Sequence, residues 1–155
     1  MSADRSYVER NTTERERLRA LVSRLSDEEL RTAANAEWTI AAVLAHVAFW
    51  DARALVLCER LERGDPFTPS DVEPEDVRWI NDSARPLAHA IAAREAASLA
   101  VRLADETDAR VAALSDALLA RTWPNDPASP LNPLRANHRR EHLDEIEAAL
   151  GRAAR

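Results

Sequence analysis

The sequence predicts an all-α protein, built as an antiparallel four-helix bundle that forms one domain over residues 1–155. Its composition is rich in alanine and arginine and includes only two glycines, which favours helices over sheets. Apolar residues recur at three- and four-residue steps over long segments, as they do along one face of an α-helix. The 155 residues suffice for one core, and no compositional break divides them.

The first half of the chain predicts two long helices with a short helical turn between them. The first helix spans about residues 4–25. Ser26 and Glu29 then have the spacing of a capping box, which marks the start of a turn or a short helix. The second long helix covers about residues 40–63 behind Thr39, a residue type that caps helix N-termini. This helix carries the densest apolar pattern in the chain.

The second half predicts two further helices separated by loops. Gly64 ends the second helix, and the proline and aspartate content of residues 64–75 predicts a loop. A helical region follows over residues 75–119. We expect it to be interrupted near Pro86, because proline removes a backbone hydrogen bond and clashes with the preceding turn. A proline-rich segment then leads to a last helix over residues 131–155, and bundles of such helices build metal and ligand sites in their interior.

Charge and composition exclude several classes of function. The net charge is -6 and both signs are interspersed, so no basic face is available for nucleic acid or for an anionic membrane. No apolar run approaches twenty residues, and the charged N-terminus does not resemble a signal peptide, so we expect a cytoplasmic protein. All 21 basic residues are arginine, which excludes Schiff-base chemistry on lysine.

The last predicted helix carries two histidines, His138 and His142, in the stretch RANHRREHLDEIEAAL. Residues four apart project from the same helix face, so the two imidazoles can converge on one point. Both occupy positions in the apolar stripe, where an imidazole is costly unless its polar atoms are satisfied. A divalent metal is one way to satisfy them. For a bare HxxxH motif, the alternative is a pair of half-buried histidines with ordinary hydrogen bonds.

A metal at this point needs a third ligand, and two histidines remain in the sequence. His46 lies in the most apolar helix beside Val47 and Trp50, where an unpaired imidazole needs a partner. His89 lies just after Pro86 among charged positions. His46 is therefore the better candidate. Its alternative role is that of a core histidine bonded to a helix carbonyl.

The segments EWTIAAVLAHVAFWD and NHRREHLDEIEAAL, in that order along the chain, resemble the DinB-like superfamily. These proteins are metal-binding four-helix bundles related to the bacillithiol transferases, the mycothiol-dependent maleylpyruvate isomerases and a group of predicted metal-dependent hydrolases. The resemblance implies a divalent transition metal, such as zinc, nickel, iron or manganese, held by His46, His138 and His142. It also implies that other coordination positions are open to water or substrate.

Such a site favours two related chemistries. Three neutral imidazoles leave the ion its full double charge, so a bound water or low-molecular-weight thiol becomes strongly acidic. We therefore expect a thiol S-transferase or a hydrolase that acts on small electrophilic molecules. The alternative is a non-catalytic bundle, with structural or vestigial metal ligands and with apolar helix faces that mediate dimerisation. A homodimer is expected, since bundle proteins of this size often pair symmetrically.

Neighbouring residues are candidates for supporting roles. Three acidic residues near the histidines could orient the imidazoles, although each is otherwise an ordinary solvated charge: Asp51, Glu141 and Glu145. Three further residues are candidates to line a substrate pocket: Trp50, Trp79 and Asn81. For the tryptophans, packing in the core or in an interface is the alternative role.

Overall fold

A computed structural model describes residues 2–67 and 74–155 of the chain. The described residues contain seven helices: α1 (Ser6–Arg24), α2 (Asp27–Arg31), α3 (Ile40–Arg63), α4 (Pro74–Ala90), α5 (Ala93–Ala112), α6 (Asp116–Leu119) and α7 (Ala136–Ala153). In these same residues the only β-type pairing is an isolated bridge between Ala33 and Thr39. The predicted all-α class is confirmed, whereas the predicted antiparallel bundle of four long helices is not, because five of these seven helices are long: α1, α3, α4, α5 and α7.

The helices of the first half begin and end at the predicted local signals. The Ser26 hydroxyl accepts a hydrogen bond from the Glu29 backbone N–H at 3.1 Å, and the Glu29 carboxylate accepts from the Ser26 N–H at 2.8 Å. The Thr39 hydroxyl accepts from the Ala42 N–H at 3.1 Å and caps α3. Gly64 ends α3 with a φ of 78°, in the left-handed region where a side chain is disfavoured.

The predicted interruption near Pro86 was wrong. Helix α4 continues through this proline to Ala90. The helical conformation is interrupted only at residues 91–92, before α5 begins. Pro86 is exposed, as is Asp82 four residues earlier. Water can therefore hydrate the carbonyl that the missing N–H would have bonded, which makes the proline tolerable. The predicted loop over residues 64–75 ends at Pro74, and residues 68–73 of it lie outside the described residues.

The last helix begins five residues later than predicted, at Ala136 rather than at Leu131. Pro133 disfavours helical conformation in the residue before it. The start of α7 is fixed from outside the helix by Asn11 of α1. The side-chain oxygen of Asn11 accepts hydrogen bonds from the backbone N–H groups of Arg135 and Ala136, at 2.8 and 2.9 Å. This side chain is buried, so the cap also ties α1 to α7.

Helix α3 is the centre of the fold. It packs against α4, α5 and α7, and α1 packs against α5 and α7, so that α1, α5, α3 and α7 form a closed circuit of contacts. By length and composition α3 could cross a membrane, but 67% of its most apolar window is buried inside the protein, as in the core helix of a soluble protein. Burial in the core therefore accounts for the apolar composition of α3.

Candidate metal centre

Three histidines from two helices converge at one point. His46 projects from α3, and His138 and His142 project from α7. The Nε2 atoms of His46 and His138 are 3.1 Å apart, and the ring centroid of His142 lies 4.7 Å from those of both other histidines. One nitrogen from each ring lies within 4.8 Å of the other two. The structure therefore brings together the three residues that the sequence singled out.

The electrostatics of the cluster keep two of its imidazoles neutral. Burial lowers the pKa of His46 to about 4, with His142 acting in the same direction and Glu145 opposing it. Burial also lowers the pKa of His138 well below its usual value, and the neighbouring His142 and Arg135 lower it further. Neutral imidazole is the form that binds a metal ion, so both side chains are ready to bind one near pH 7.

The hydrogen bonds of the rings indicate which nitrogen atoms remain for a ligand. A Glu145 carboxylate oxygen lies 3.0 Å from His142 Nδ1. Since a carboxylate only accepts, Nδ1 carries the proton and Nε2 is left for a metal. The other Glu145 oxygen accepts from the Asn35 amide. Within the described part of the chain, the buried His138 Nδ1 has no hydrogen-bond partner, which is rare for a buried polar atom.

These side chains fit a divalent transition metal. Imidazole nitrogens lie about 2.0 to 2.1 Å from zinc, so two of them on a tetrahedral ion are separated by about 3.4 Å. The 3.1 Å between the Nε2 atoms of His46 and His138 is close to that separation. Three imidazole nitrogen donors suit zinc, nickel and iron. The three histidines form a candidate site for one such ion.

A cavity of about 750 Å³ opens beside the three histidines. Its walls come from α3, α4, α7 and the segment before α3, and include Trp38, Trp50 and Asn81 as well as Arg78 and Arg135. The Trp50 indole N–H donates a hydrogen bond to the Asn81 side-chain oxygen at 2.9 Å, which links α3 to α4 across the cavity wall. Cavities of this size and character bind small molecules.

The sequence matches the model of the DinB superfamily over residues 10–146. The chain belongs to the DinB superfamily. No curated protein and no solved structure matches it. The family expected from the two histidine segments is thereby confirmed, and the match includes all three clustered histidines of this DinB protein.

Two of the predicted supporting acids occupy other positions than expected. Asp51 is fully buried, but within the described residues its carboxylate bonds to the guanidinium groups of Arg135 and Arg139, each at 3.1 Å, and to no imidazole. Five residues after His46, it is turned about 140° around the helix axis and faces another neighbour. Glu141 is exposed at the cavity wall. Of the three acids, Glu145 is the one that contacts a histidine ring.

The pocket residues were predicted in part. Trp50 and Asn81 line the cavity, whereas Trp79 does not and is 74% exposed. The cavity face of α4 carries Val77, Arg78 and Asn81, and Trp79 lies on the opposite side because it is turned about 200° from Val77. Arg135 also lines the cavity and was missed. Its position three residues before His138 was the available signal, since i and i+3 share a helix face.

An ion-pair cluster lies directly behind the histidines on the same helices. Arg139 of α7 is 0% exposed and binds Asp108 of α5 through both terminal nitrogens, at 2.9 and 2.8 Å. Its Nε donates to Asp51 of α3 at 3.1 Å. The cluster therefore fixes α7 against both α3 and α5, and so holds the helix that carries two of the three candidate ligands in this DinB protein.

Proposed function

We propose that this DinB-superfamily protein is a divalent-metal-dependent enzyme that transfers a low-molecular-weight thiol to small electrophilic molecules. One observation supports the proposal above the others: three imidazoles converge at the wall of a cavity of about 750 Å³. Structural zinc sites are closed by four protein ligands, whereas catalytic sites keep a position open for water or substrate. Three histidines beside an open cavity have the second arrangement.

The metal expected here is zinc, nickel, iron or manganese, held by His46, His138 and His142. When bound, the ion would act as a Lewis acid and lower the pKa of a bound thiol or water toward neutral pH. The protein side chains prepare this chemistry. Glu145 fixes the orientation and tautomer of His142, and burial keeps His46 neutral. In the transfer, the thiol sulfur bonds to the electrophilic carbon, the leaving group departs with its electron pair, and the thiol proton passes to solvent.

The cavity favours thiol transfer over hydrolysis because it offers room and walls for two reactants. The rings of Trp38 and Trp50 provide apolar surface for the body of an electrophile. Asn81, Arg78 and Arg135 provide polar groups for a second, hydrophilic molecule. Hydrolysis needs only water beside one substrate. A reduced thiol as co-substrate also fits a cytoplasmic location, where thiols are kept reduced.

The first test is the metal content of the purified, untagged protein, measured by inductively coupled plasma mass spectrometry. We expect about one transition-metal ion per chain in the wild type. We expect none in His46→Ala or His142→Ala, since two remaining protein ligands bind a metal ion too weakly to retain it through purification. His89→Ala is the matched control. His89 is exposed and bonds to the Glu37 carbonyl, away from the cluster, so this variant should keep its metal.

A second measurement separates the reaction classes. The metal-loaded protein is incubated with cysteine and 1-chloro-2,4-dinitrobenzene, and in parallel with p-nitrophenyl acetate without thiol. Thiol-dependent release of chloride supports the transferase, whereas release of p-nitrophenol alone supports a hydrolase. A wild type that holds no metal even after reconstitution with zinc, nickel or manganese would contradict the proposal. The non-catalytic bundle would then be the better interpretation.

A further inference from the structure

Arg135 is a cationic side chain in the wall of the cavity that the proposed chemistry does not use. It immediately precedes α7 and lines the cavity, and its side chain is only 13% exposed. It lies three residues before His138, so the two side chains share one face of the chain, with Cβ atoms about 5 to 6 Å apart in a helix. A guanidinium group therefore lies beside the candidate metal ligands.

The contacts of Arg135 with the protein use only part of its hydrogen-bonding capacity. Its Nε donates to Asp51 at 3.1 Å, and Nη2 donates to the backbone carbonyl of Trp50 at 3.3 Å. A guanidinium group offers five N–H donors. Within the described residues these two are its hydrogen bonds to protein, and they fix the plane of the group while donors remain at the cavity wall.

The negative charge that holds Arg135 is shared with a second arginine. The Asp51 carboxylate also binds Arg139, which is fully buried. One carboxylate thus serves two guanidinium groups. Arg139 has Asp108 as a further partner, whereas the described residues give Arg135 no second carboxylate. Asp51 therefore neutralises Arg135 only in part.

Most acidic groups of the cavity wall bind side chains other than Arg135. Glu37 and Asp82 each pair with Arg85 at 3.2 Å, and Glu145 binds the His142 ring at 3.0 Å. Glu141 lines the cavity but is exposed to solvent, where screening weakens its effect. A bound divalent ion would add two further positive charges. The inner part of the cavity is therefore suited to an anionic ligand.

We propose that Arg135 binds a carboxylate group of the small molecule that occupies the cavity. Arginine is suited to this role because its planar guanidinium presents parallel N–H groups that match the two oxygens of a carboxylate. The assignment deepens the proposed function and rests on it for the identity of the ligand as thiol or electrophile. The ligand would carry its carboxylate at Arg135, its apolar body against Trp38 and Trp50, and its reacting atom toward the histidines.

The test compares two ligands of nearly equal shape, phenylacetate and phenylacetamide, on the metal-free protein. The chelated state is used because a carboxylate could also bind a metal ion directly. Quenching of tryptophan fluorescence reports occupancy, since Trp38 and Trp50 line the cavity. We expect the wild type to bind the carboxylate about tenfold more tightly than the amide. Arg135→Gln should abolish this preference, and Arg78→Gln, which removes the other, exposed arginine of the wall, should keep it.

Equal affinity of the wild type for the two ligands would overturn the assignment, and so would a preference that survives in Arg135→Gln. Arg135→Lys provides a second variant if the glutamine variant does not fold. It keeps the charge but loses the planar fork, so the preference should fall at least threefold, and an unchanged preference would count against Arg135. Metal content of the same preparations tests the proposed function separately. If the protein holds metal but does not prefer phenylacetate over phenylacetamide, only the carboxylate site is refuted. If it prefers phenylacetate but holds no metal, only the metal-dependent enzyme is refuted.

Discussion

Helices α3 and α7 share two polar clusters that differ in how they are satisfied. In the ion-pair cluster, Arg139 is fully buried and is bonded by carboxylates on both sides, Asp51 and Asp108. In the histidine cluster, His46 and His138 have pKa values lowered by burial, and the buried Nδ1 of His138 has no hydrogen-bond partner among the described residues. The ion-pair cluster finds all its partners within the protein, whereas the histidine cluster lies at the wall of a cavity.

The difference separates a structural polar cluster from one arranged for a ligand. Buried charges are retained where each has its partners, because an unpaired buried charge costs several kcal/mol. The ion pairs meet that condition within the protein. The histidines form no such ion pairs: burial keeps His46 and His138 neutral, and their Nε2 atoms, 3.1 Å apart, have nearly the separation of two ligands on one divalent metal. Since the clusters are adjacent on the same helices, substitutions in one and then in the other test this distinction directly.

The largest effect on stability should come from Arg139→Met. The substitution keeps an unbranched chain but removes the charge between two buried carboxylates, and breaking a buried ion pair typically costs about 3 to 5 kcal/mol. We expect a loss of about 3 kcal/mol in the free energy of unfolding, because Asp51 retains Arg135 and Asp108 retains Arg15. Urea denaturation followed by circular dichroism measures it.

Arg140→Met is the matched control for this substitution. Arg140 is the next residue on α7, is exposed, and bonds to Asn137 at the surface. Surface substitutions of this kind change stability by less than about 0.5 kcal/mol. Equal losses in the two variants would show that the buried cluster contributes no more than a surface charge does, and the contrast between the clusters would then fail.

The metal-free protein should lose stability as the pH falls below about 6.5. The pKa of His46 is lowered to about 4 in the folded protein, so the unfolded chain takes up a proton between about pH 6.5 and pH 4 that the folded chain does not. The free energy of unfolding should therefore decrease by about 2 kcal/mol between pH 7 and pH 5 through this residue alone. Urea denaturation in the presence of a chelator, repeated across this range, measures the decrease.

His46→Gln isolates the contribution of this imidazole, because glutamine keeps a polar side chain that does not titrate. The variant should show a shallower decrease between pH 7 and pH 5 than the wild type. Excess zinc should raise the free energy of unfolding without flattening the decrease, because the zinc-bound folded protein takes up no proton on these imidazoles whereas the unfolded chain still does. Identical pH profiles for the wild type and the variant would mean that His46 is solvated and that the cluster is not held neutral by burial.

The sequence alone predicted the ends of helices where the residues that cap them are close in the chain. Ser26, Thr39 and Gly64 cap their helices through contacts within a few residues, and the helices of the first half begin and end close to their predicted positions. Helix α7 starts elsewhere than predicted because its cap comes from Asn11, more than 120 residues away. Pro133 is a local signal against a start at Leu131, but no local pattern contains the contact with Asn11 that sets the start at Ala136.

The same distinction applies to the site. The spacing of His138 and His142 on one helix is a local feature, and the apolar surroundings of His46 pointed to a third ligand. The contacts of Asp51 with Arg135 and Arg139 depend on which helices face each other, so the sequence alone does not reveal them. Arg135 had a local signal, its position three residues before His138, but its contact with Asp51 lies beyond any local pattern. Trp79 was misplaced because the packed face of α4 follows from its contact with α3, which its own apolar pattern did not reveal.

The smallest expected effect is on metal affinity, in Glu145→Gln. Glu145 accepts a hydrogen bond from His142 Nδ1 at 3.0 Å, and losing a carboxylate that orients a ligating histidine typically weakens metal binding by about 10- to 100-fold. We expect about tenfold, because the glutamine carbonyl can still accept the bond without the negative charge. Glu141→Gln is the matched control. It removes a charge one residue before His142 from a side chain that is exposed.

Competition with a chromophoric zinc chelator measures both affinities under the same conditions. If the two variants weaken zinc binding equally, the effect belongs to the general negative potential near the site and not to the hydrogen bond to His142. If only Glu145→Gln does so, the orientation of the ring is what matters. The histidine cluster would then depend on one hydrogen-bonded carboxylate for its geometry, in contrast to the ion-pair cluster, where two carboxylates neutralise a buried charge.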